Sequence, residues 1–389
     1  MTAFEQLNAL LGDIEPPRGK TPIRLDLGEA RLCNPMAVPG AEAALKANWD
    51  RYPPLGGCAQ TRAAYRGWLK RRFRLKPEQL DKLAVEPTPG TKHGIASLVA
   101  LALRAHGSGS SVVVPDPHYP TYIAATHLHD GKPAYYTCNS HPLRNIRTAI
   151  DSTVPTAAVV LCNPASPSGR PYSAGELVAI AEFTKQTGAW LLVDECYIDL
   201  WVDEEPVGAL SALAEYSKVV VLHTLSKRSS APGLRSGFVA GDPNIVGQYA
   251  ALNRSCGVCT AEPIQQMSAI LWSDDAHVHT SREQLARNWR EVDKYFGDLP
   301  GYGPAPTGLF AWVPVTDDLG VACAAWRRAA VRIMPGRFLT ADEEAGHGRV
   351  RISIGEAGSL IAGLHTLRTV LSGFPAKLRE ASRTTGRDS

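Results

Sequence analysis

The stretch Ala157-Ala158-Val159-Val160-Leu161 is continuously apolar and runs straight into Cys162-Asn163-Pro164. A second run, Trp190-Leu191-Leu192-Val193, leads into Asp194-Glu195-Cys196-Tyr197. A strand with one wet face alternates apolar and polar residues. These two do not alternate, which is the pattern of strands buried on both faces. Each stops at polar, turn-forming residues and so delivers chemistry-bearing side chains into the loop beyond it.

Outward from these runs, strand-like and helical segments alternate. Strands are expected at Leu83–Glu86, Ser111–Val114, Pro133–Thr137, Val219–Leu222 and Gly237–Ala240. Helices are expected at Ala59–Phe73, Lys92–Ala105, Tyr122–Leu128 and Ala174–Gln186. The alternation predicts an α/β fold with a mostly parallel, doubly wound sheet. Such sheets bind ligands beyond the carboxyl ends of their strands.

After about Asp275 the texture changes to a long polar helix (Ser281–Phe296), a Gly/Pro-rich stretch (Gly301–Gly308), a strand at Leu309–Val313, a helix at Val321–Ala330 and a strand at Val350–Ile354. At the other end, Phe4, Leu7, Leu10 and Leu11 fall at helical spacing, followed by an extended run Ile23–Leu27 and a helix Ala41–Asn48. The expected organisation is a large domain over 49–280, a smaller α/β domain built from 1–48 and 281–375, and a polar tail, 376–389, that frays.

Composition narrows the function. With 389 residues the chain is long enough for two or three domains of about 150 residues. Its 41 basic against 38 acidic residues leave +3, too little surplus for a protein that binds nucleic acid by neutralising phosphates. The opening Met1–Glu15 has no basic leader region, and no apolar run approaches the roughly 18 residues of a membrane span. Eight scattered cysteines do not make a disulfide framework, so a cytoplasmic protein is expected. Cys256-Gly257-Val258-Cys259 lacks the second ligand pair that a metal site needs and reads as two incidental loop residues, with a redox pair as the alternative.

The strand ends then form a constellation. Pro89-Gly90-Thr91-Lys92 opens a helix, whose free N–H groups and dipole suit an anion. Val114 leads to Pro115-Asp116-Pro117-His118-Tyr119, Leu161 to Asn163, Val193 to Asp194 and Tyr197, and Leu222 to Thr224, Ser226 and Lys227, with Arg235 eight residues further on. Singly, each is a turn, a cap or a solvated charge. Together they lie where this kind of sheet places its ligand.

This order and spacing resemble the fold-type I pyridoxal phosphate (PLP) enzymes, specifically the class I/II aminotransferases with the aspartate aminotransferase-like fold. The run Ser226-Lys227-Arg228-Ser229-Ser230-Ala231-Pro232-Gly233-Leu234-Arg235-Ser236-Gly237 carries the resemblance, and within the family it is most similar to the bacterial N-succinyldiaminopimelate aminotransferases. The resemblance implies that Lys227 holds PLP as a Schiff base and then moves the α-proton. It implies Asp194 at the pyridine nitrogen, Tyr197 and Asn163 at the phenolic oxygen, and Tyr119 on the ring face. Gly90, Thr91, Lys92, Thr224, Ser226 and Arg235 would form the phosphate cup. Arg351 would bind the substrate carboxylate as a planar fork beside Gly28. Tyr52 would reach the phosphate of a partner subunit, which implies a homodimer with shared sites. The substrates implied are an amino acid and a 2-oxo acid.

The family carries Gly-Glu-Pro where this chain has Gly28-Glu29-Ala30, followed by Arg31-Leu32-Cys33-Asn34. That departure motivates an alternative, the same carbanion chemistry used for β/γ elimination, replacement or ring formation. A PLP-binding regulator without catalysis is opposed by the intact Lys227, Asp194 and Arg235. Arg31, Lys92, His118 and Arg254 are the cations available for a second anionic group on the substrate.

Overall fold

The computed structural model describes residues 2–374 apart from 47, 139, 304, 306 and 357, so the tail 376–389 lies outside the described residues. Twelve strands are described. They are β1 (Ile23–Arg24), β2 (Ala84–Thr88), β3 (Ser111–Asp116), β4 (Lys132–Thr137), β5 (Thr156–Cys162), β6 (Trp190–Asp194), β7 (Val219–Thr224), β8 (Gly237–Gly241), β9 (Phe310–Pro314), β10 (Val331–Arg332), β11 (Met334–Pro335) and β12 (Arg349–Ser353).

Seven of these form one sheet in the order β2-β8-β7-β6-β5-β3-β4. Neighbours from β7 through to β4 pair in parallel, whereas β8 runs antiparallel to both β2 and β7. The apolar runs explain themselves here. Val159, Leu161, Leu191 and Val193 enter one hydrophobic cluster, with Trp68, Phe238 and Trp272. Their neighbours Ala158, Val160 and Leu192 enter another, with Leu98, Val99 and Tyr249. Alternate side chains of each central strand thus feed cores on opposite faces, each fully buried Val or Leu contributing about 1.5–3 kcal/mol.

The remaining strands make a three-stranded antiparallel sheet, β11-β12-β9, and a short parallel pair of β1 with β10. Helices Ala276–Phe296, Asp318–Ala329 and Leu360–Ser372 cover them, with Trp289, Val313, Ile352 and Leu364 in a third core. The N-terminal helix Ala3–Leu11 starts at a capping box between Thr2 and Glu5 and buries Leu7 and Leu11 against Met334 and Leu339.

Several expectations need correction. The helix expected over Ala41–Asn48 stops at Ala44, because the chain turns through Leu45 and Lys46 and Asn48 takes a left-handed φ of 60°. Of the extended run Ile23–Leu27, Ile23–Arg24 form β1, Leu25 still bonds to Arg332 O and Ser353 N, and the chain bends at Asp26 and Leu27. Helices Pro142–Ala149, Pro243–Ser255, Glu262–Ser273 and Leu360–Ser372 were not expected. Arg254 and Ser255 end the second of these. No helix among the described residues is long and apolar enough to cross a membrane.

Candidate active site

A cavity of about 260 Å³ opens at the carboxyl ends of the parallel strands. Thr91, Lys92, Tyr119, Asp194, Tyr197, Thr224, Ser226, Lys227 and Arg235, all singled out from the sequence, line it.

One end of the cavity is built by the start of helix Thr91–His106. The first N–H groups of a helix have no partner within it. Gly90 precedes them at φ 90°, and an added Cβ there would stand 2.6 Å from Nη2 of Arg235. Only glycine fits both demands. Arg235 is fixed by donating Nη1 to Pro232 O at 2.8 Å. Thr224 caps the short turn Leu225–Arg228, accepting from Ser226 N at 3.1 Å, so Ser226 and Lys227 emerge on one rigid turn.

At the opposite end sits Asp194, buried at the close of β6. Its Oδ2 accepts from the Tyr122 hydroxyl at 2.9 Å and its Oδ1 from Cys196 N at 3.3 Å. Burial raises its pKa, while these bonds and Lys227 oppose the rise. The Lys227 ammonium donates to Gly28 O and stands 5.9 Å from the Tyr197 ring centroid. Burial holds its pKa below the ordinary lysine range, and Arg351 pushes the same way. Burial also keeps Tyr197 protonated. Tyr119 is half-exposed and meets Tyr122 edge-to-face at 5.7 Å.

Asn163 is not part of this cavity. It is fully buried, its Nδ2 donates to Val207 O at 2.9 Å and Glu195 Oε1 at 3.2 Å, and its Oδ1 accepts from Tyr172 N. Its amide is therefore spent on bracing the loop, and Ser166, three residues on, faces the cavity instead. Tyr122, Cys162 and Cys196 also line it and were not singled out. Tyr122 follows Tyr119 by one helical turn, which was the available signal.

Arg351 lies beyond the cavity lining, in β12. It is buried, donates Nη2 to Asp26 O at 2.9 Å, and leaves Nε without a partner. Tyr52 is fully exposed and does not line the cavity of its own chain. Of the four cations considered for a second anionic group, Lys92 alone lines the cavity. Arg31 pairs with Glu29 at 2.8 Å and Glu356 at 3.7 Å. His118 N donates to Leu339 O at 2.9 Å. Arg254 lines a separate groove with Arg62, Arg66 and Glu86.

A buried acid, a lysine whose pKa burial lowers and a helix start beside an arginine thus meet at one rim of a doubly wound sheet. The aminotransferase class I and II family profile matches residues 23–362. The chain is 30% identical over 349 residues to the 4-dedimethylamino-4-oxo-anhydrotetracycline transaminase of Streptomyces rimosus, covering 87% of this chain and 91% of that one. It is 27% identical over 378 residues to the probable N-acetyl-LL-diaminopimelate aminotransferase of Bacillus subtilis, covering 93% and 91%. A solved aminotransferase from Neisseria meningitidis superposes with a TM-score of 0.86 at 28% identity, covering 96% of this chain and 98% of that one. The chain belongs to the class I and II aminotransferases, and it is a PLP-dependent transferase acting on amino acids and 2-oxo acids.

Proposed function

We propose that this cavity holds PLP and transfers amino groups through Lys227. The observation that carries the reading is the placement of Lys227: a lysine with a lowered pKa, between a buried carboxylate and an anion cup, within electrostatic reach of a buried arginine. The residues fit the group. Arg235 fills the space a side chain at Gly90 would take, and the orphaned Nε of Arg351 awaits an acceptor.

In this reading Thr91, Lys92, Thr224, Ser226 and Arg235 hold the phosphate. Asp194 pairs with the pyridine nitrogen, Tyr197 and Ser166 serve the phenolic oxygen, and Tyr119 covers the ring. Bound PLP supplies a ring that withdraws negative charge from the substrate α-carbon. Lys227 takes the α-proton as the free amine, a form that its lowered pKa makes easier to reach. Arg351 and the Gly28 backbone hold the α-carboxylate. The resemblance to N-succinyldiaminopimelate aminotransferases is supported by the Bacillus subtilis relative and points to an acylated diamino acid as one donor to test.

The same reading makes the protein a cytoplasmic homodimer with a large domain over 49–280 and a small one from both chain ends. Met36, Trp49, Tyr52 and Leu55, four of the seven exposed large apolar side chains among the described residues, crowd into one segment, which supports a partner surface there. All eight cysteines are free, which supports a reducing compartment.

The test is to mix PLP-loaded enzyme with single amino acids and no 2-oxo acid, following the visible absorbance of the bound cofactor. A donor should abolish the band and a 2-oxo acid should restore it, and Lys227→Ala should do neither. A band unmoved by every donor, or full activity in Lys227→Ala, rejects the reading.

A further inference from the structure

Phe310 stands between three parts of the site that are far apart in sequence. In the antiparallel register of β9 and β12, Ser353 faces Phe310 and Arg351 faces Trp312. Phe310 and Arg351 are thus diagonal neighbours on one face of the sheet. The guanidinium carbon of Arg351 lies 4.2 Å from the Phe310 ring centroid. The same ring meets Tyr197 edge-on at 5.9 Å, and its Cζ would lie 2.6 Å from a Cβ added at Gly28. Gly28 in turn accepts the Lys227 ammonium on its carbonyl.

We propose that Phe310 is a positioning residue for carboxylate recognition: its ring is the plate against which Arg351 lies, fixing the guanidinium plane and keeping water off one of its faces. This rests on the assignment of Arg351 as the carboxylate site. The guanidinium has one face on an aromatic ring, one nitrogen on the Asp26 carbonyl and its Nε free. A cation held this way is presented to an incoming carboxylate along its unpaired edge, already stripped of water and with its rotamers fixed. The ring also explains why residue 28 has no side chain, since Phe310 occupies that space. An aliphatic residue would fill part of the volume without offering a π face.

The test uses the PLP-loaded enzyme, with L-alanine as amino donor and propionate as a competing carboxylate without an amino group. Phe310→Leu and the unbranched Phe310→Met are compared with Arg351→Lys, and each variant's melting temperature and PLP affinity are recorded. Loss of a desolvated cation–π contact should raise the alanine KM and the propionate inhibition constant roughly 5- to 30-fold in both Phe310 variants. The turnover number and PLP affinity should change far less. If Arg351→Lys weakens propionate but neither Phe310 variant does, this inference fails and the Arg351 assignment stands. If Arg351→Lys leaves propionate binding unchanged, the Arg351 assignment fails and takes the inference with it. If the Phe310 variants lower PLP affinity and turnover as much as carboxylate binding, Phe310 is packing alone and the proposal is overturned.

Discussion

Tyr122 donates its hydroxyl proton to Oδ2 of Asp194 at 2.9 Å, and both residues are buried at the floor of the cavity. That bond favours the ionised carboxylate, against the burial that raises the Asp194 pKa. Removing it should push the pKa further up. In Tyr122→Phe the acid limb of the kcat–pH profile should therefore move to higher pH by about one to two units, the equivalent of one hydrogen bond to a charged group. An unmoved acid limb would show that Tyr122 does not tune Asp194.

Behind Asp194, Glu195 Oε2 lies 3.3 Å from Nε2 of His223, and neither atom has another partner. Burial raises Glu195 to about 7 and lowers His223 to about 3, so a protonated acid faces a neutral imidazole. The signs oppose. The folded-state pKa of His223 lies below its unfolded value of 6.5, so stability from it is complete above pH 6.5 and is lost as pH falls towards 3. Glu195 lies above its unfolded 4.5, so stability from it is complete below pH 4.5 and is lost as pH rises through 7. Between these unfolded values the pair contributes no net slope. Glu195→Gln removes one side, so urea unfolding should then show stability rising with pH across that window by up to about 1.4 kcal/mol per unit relative to the parent. Parallel pH curves for parent and variant would refute this opposition of Glu195 and His223.

Arg228, next to Lys227, is buried among Asp199 (Nε to Oδ2, 3.0 Å), Asp275 (Nη2 to Oδ1, 2.6 Å) and the Leu271 carbonyl (2.8 Å). Asp199 keeps a second cation, Arg72, at 2.8 Å. Arg228→Ala leaves a buried carboxylate short of one partner and the catalytic turn untied from helix Ala276–Phe296. Chemical unfolding should show a loss of about 3–5 kcal/mol. A loss within the few tenths typical of surface changes would mean the ladder is not structural.

Much of this architecture was legible because it depends on local pattern. The runs around Val159 and Leu192 are apolar since both of their faces are covered, and Lys227 and Arg235 declare themselves through one short interval. What was misread depends on direction and register. The loop after β5 carries Asn163-Pro164 and Ser166-Pro167, and spacing does not say which side chain the backbone turns into the cavity. It turns Asn163 inwards to Glu195 and Val207 and leaves Ser166 lining the cavity. The Glu195–His223 contact arises from the pairing of β6 with β7, and Phe310 meets Arg351 only through the β9–β12 register. Helix Pro243–Ser255, by contrast, had a readable start, since Asp242 caps it and proline follows.

The reversal of β8 has a mechanical consequence. Because β8 returns beside β7 with Thr224 opposite Gly237, the segment between them is a closed hairpin bearing Lys227 near one leg and Arg235 at the foot of the other. The Lys227 amine and the Arg235 guanidinium are thus two fittings on a single bracket bolted to the sheet by two strands. The separation of amine and guanidinium is therefore set by the seven-stranded sheet alone and does not depend on the smaller sheet that carries Arg351.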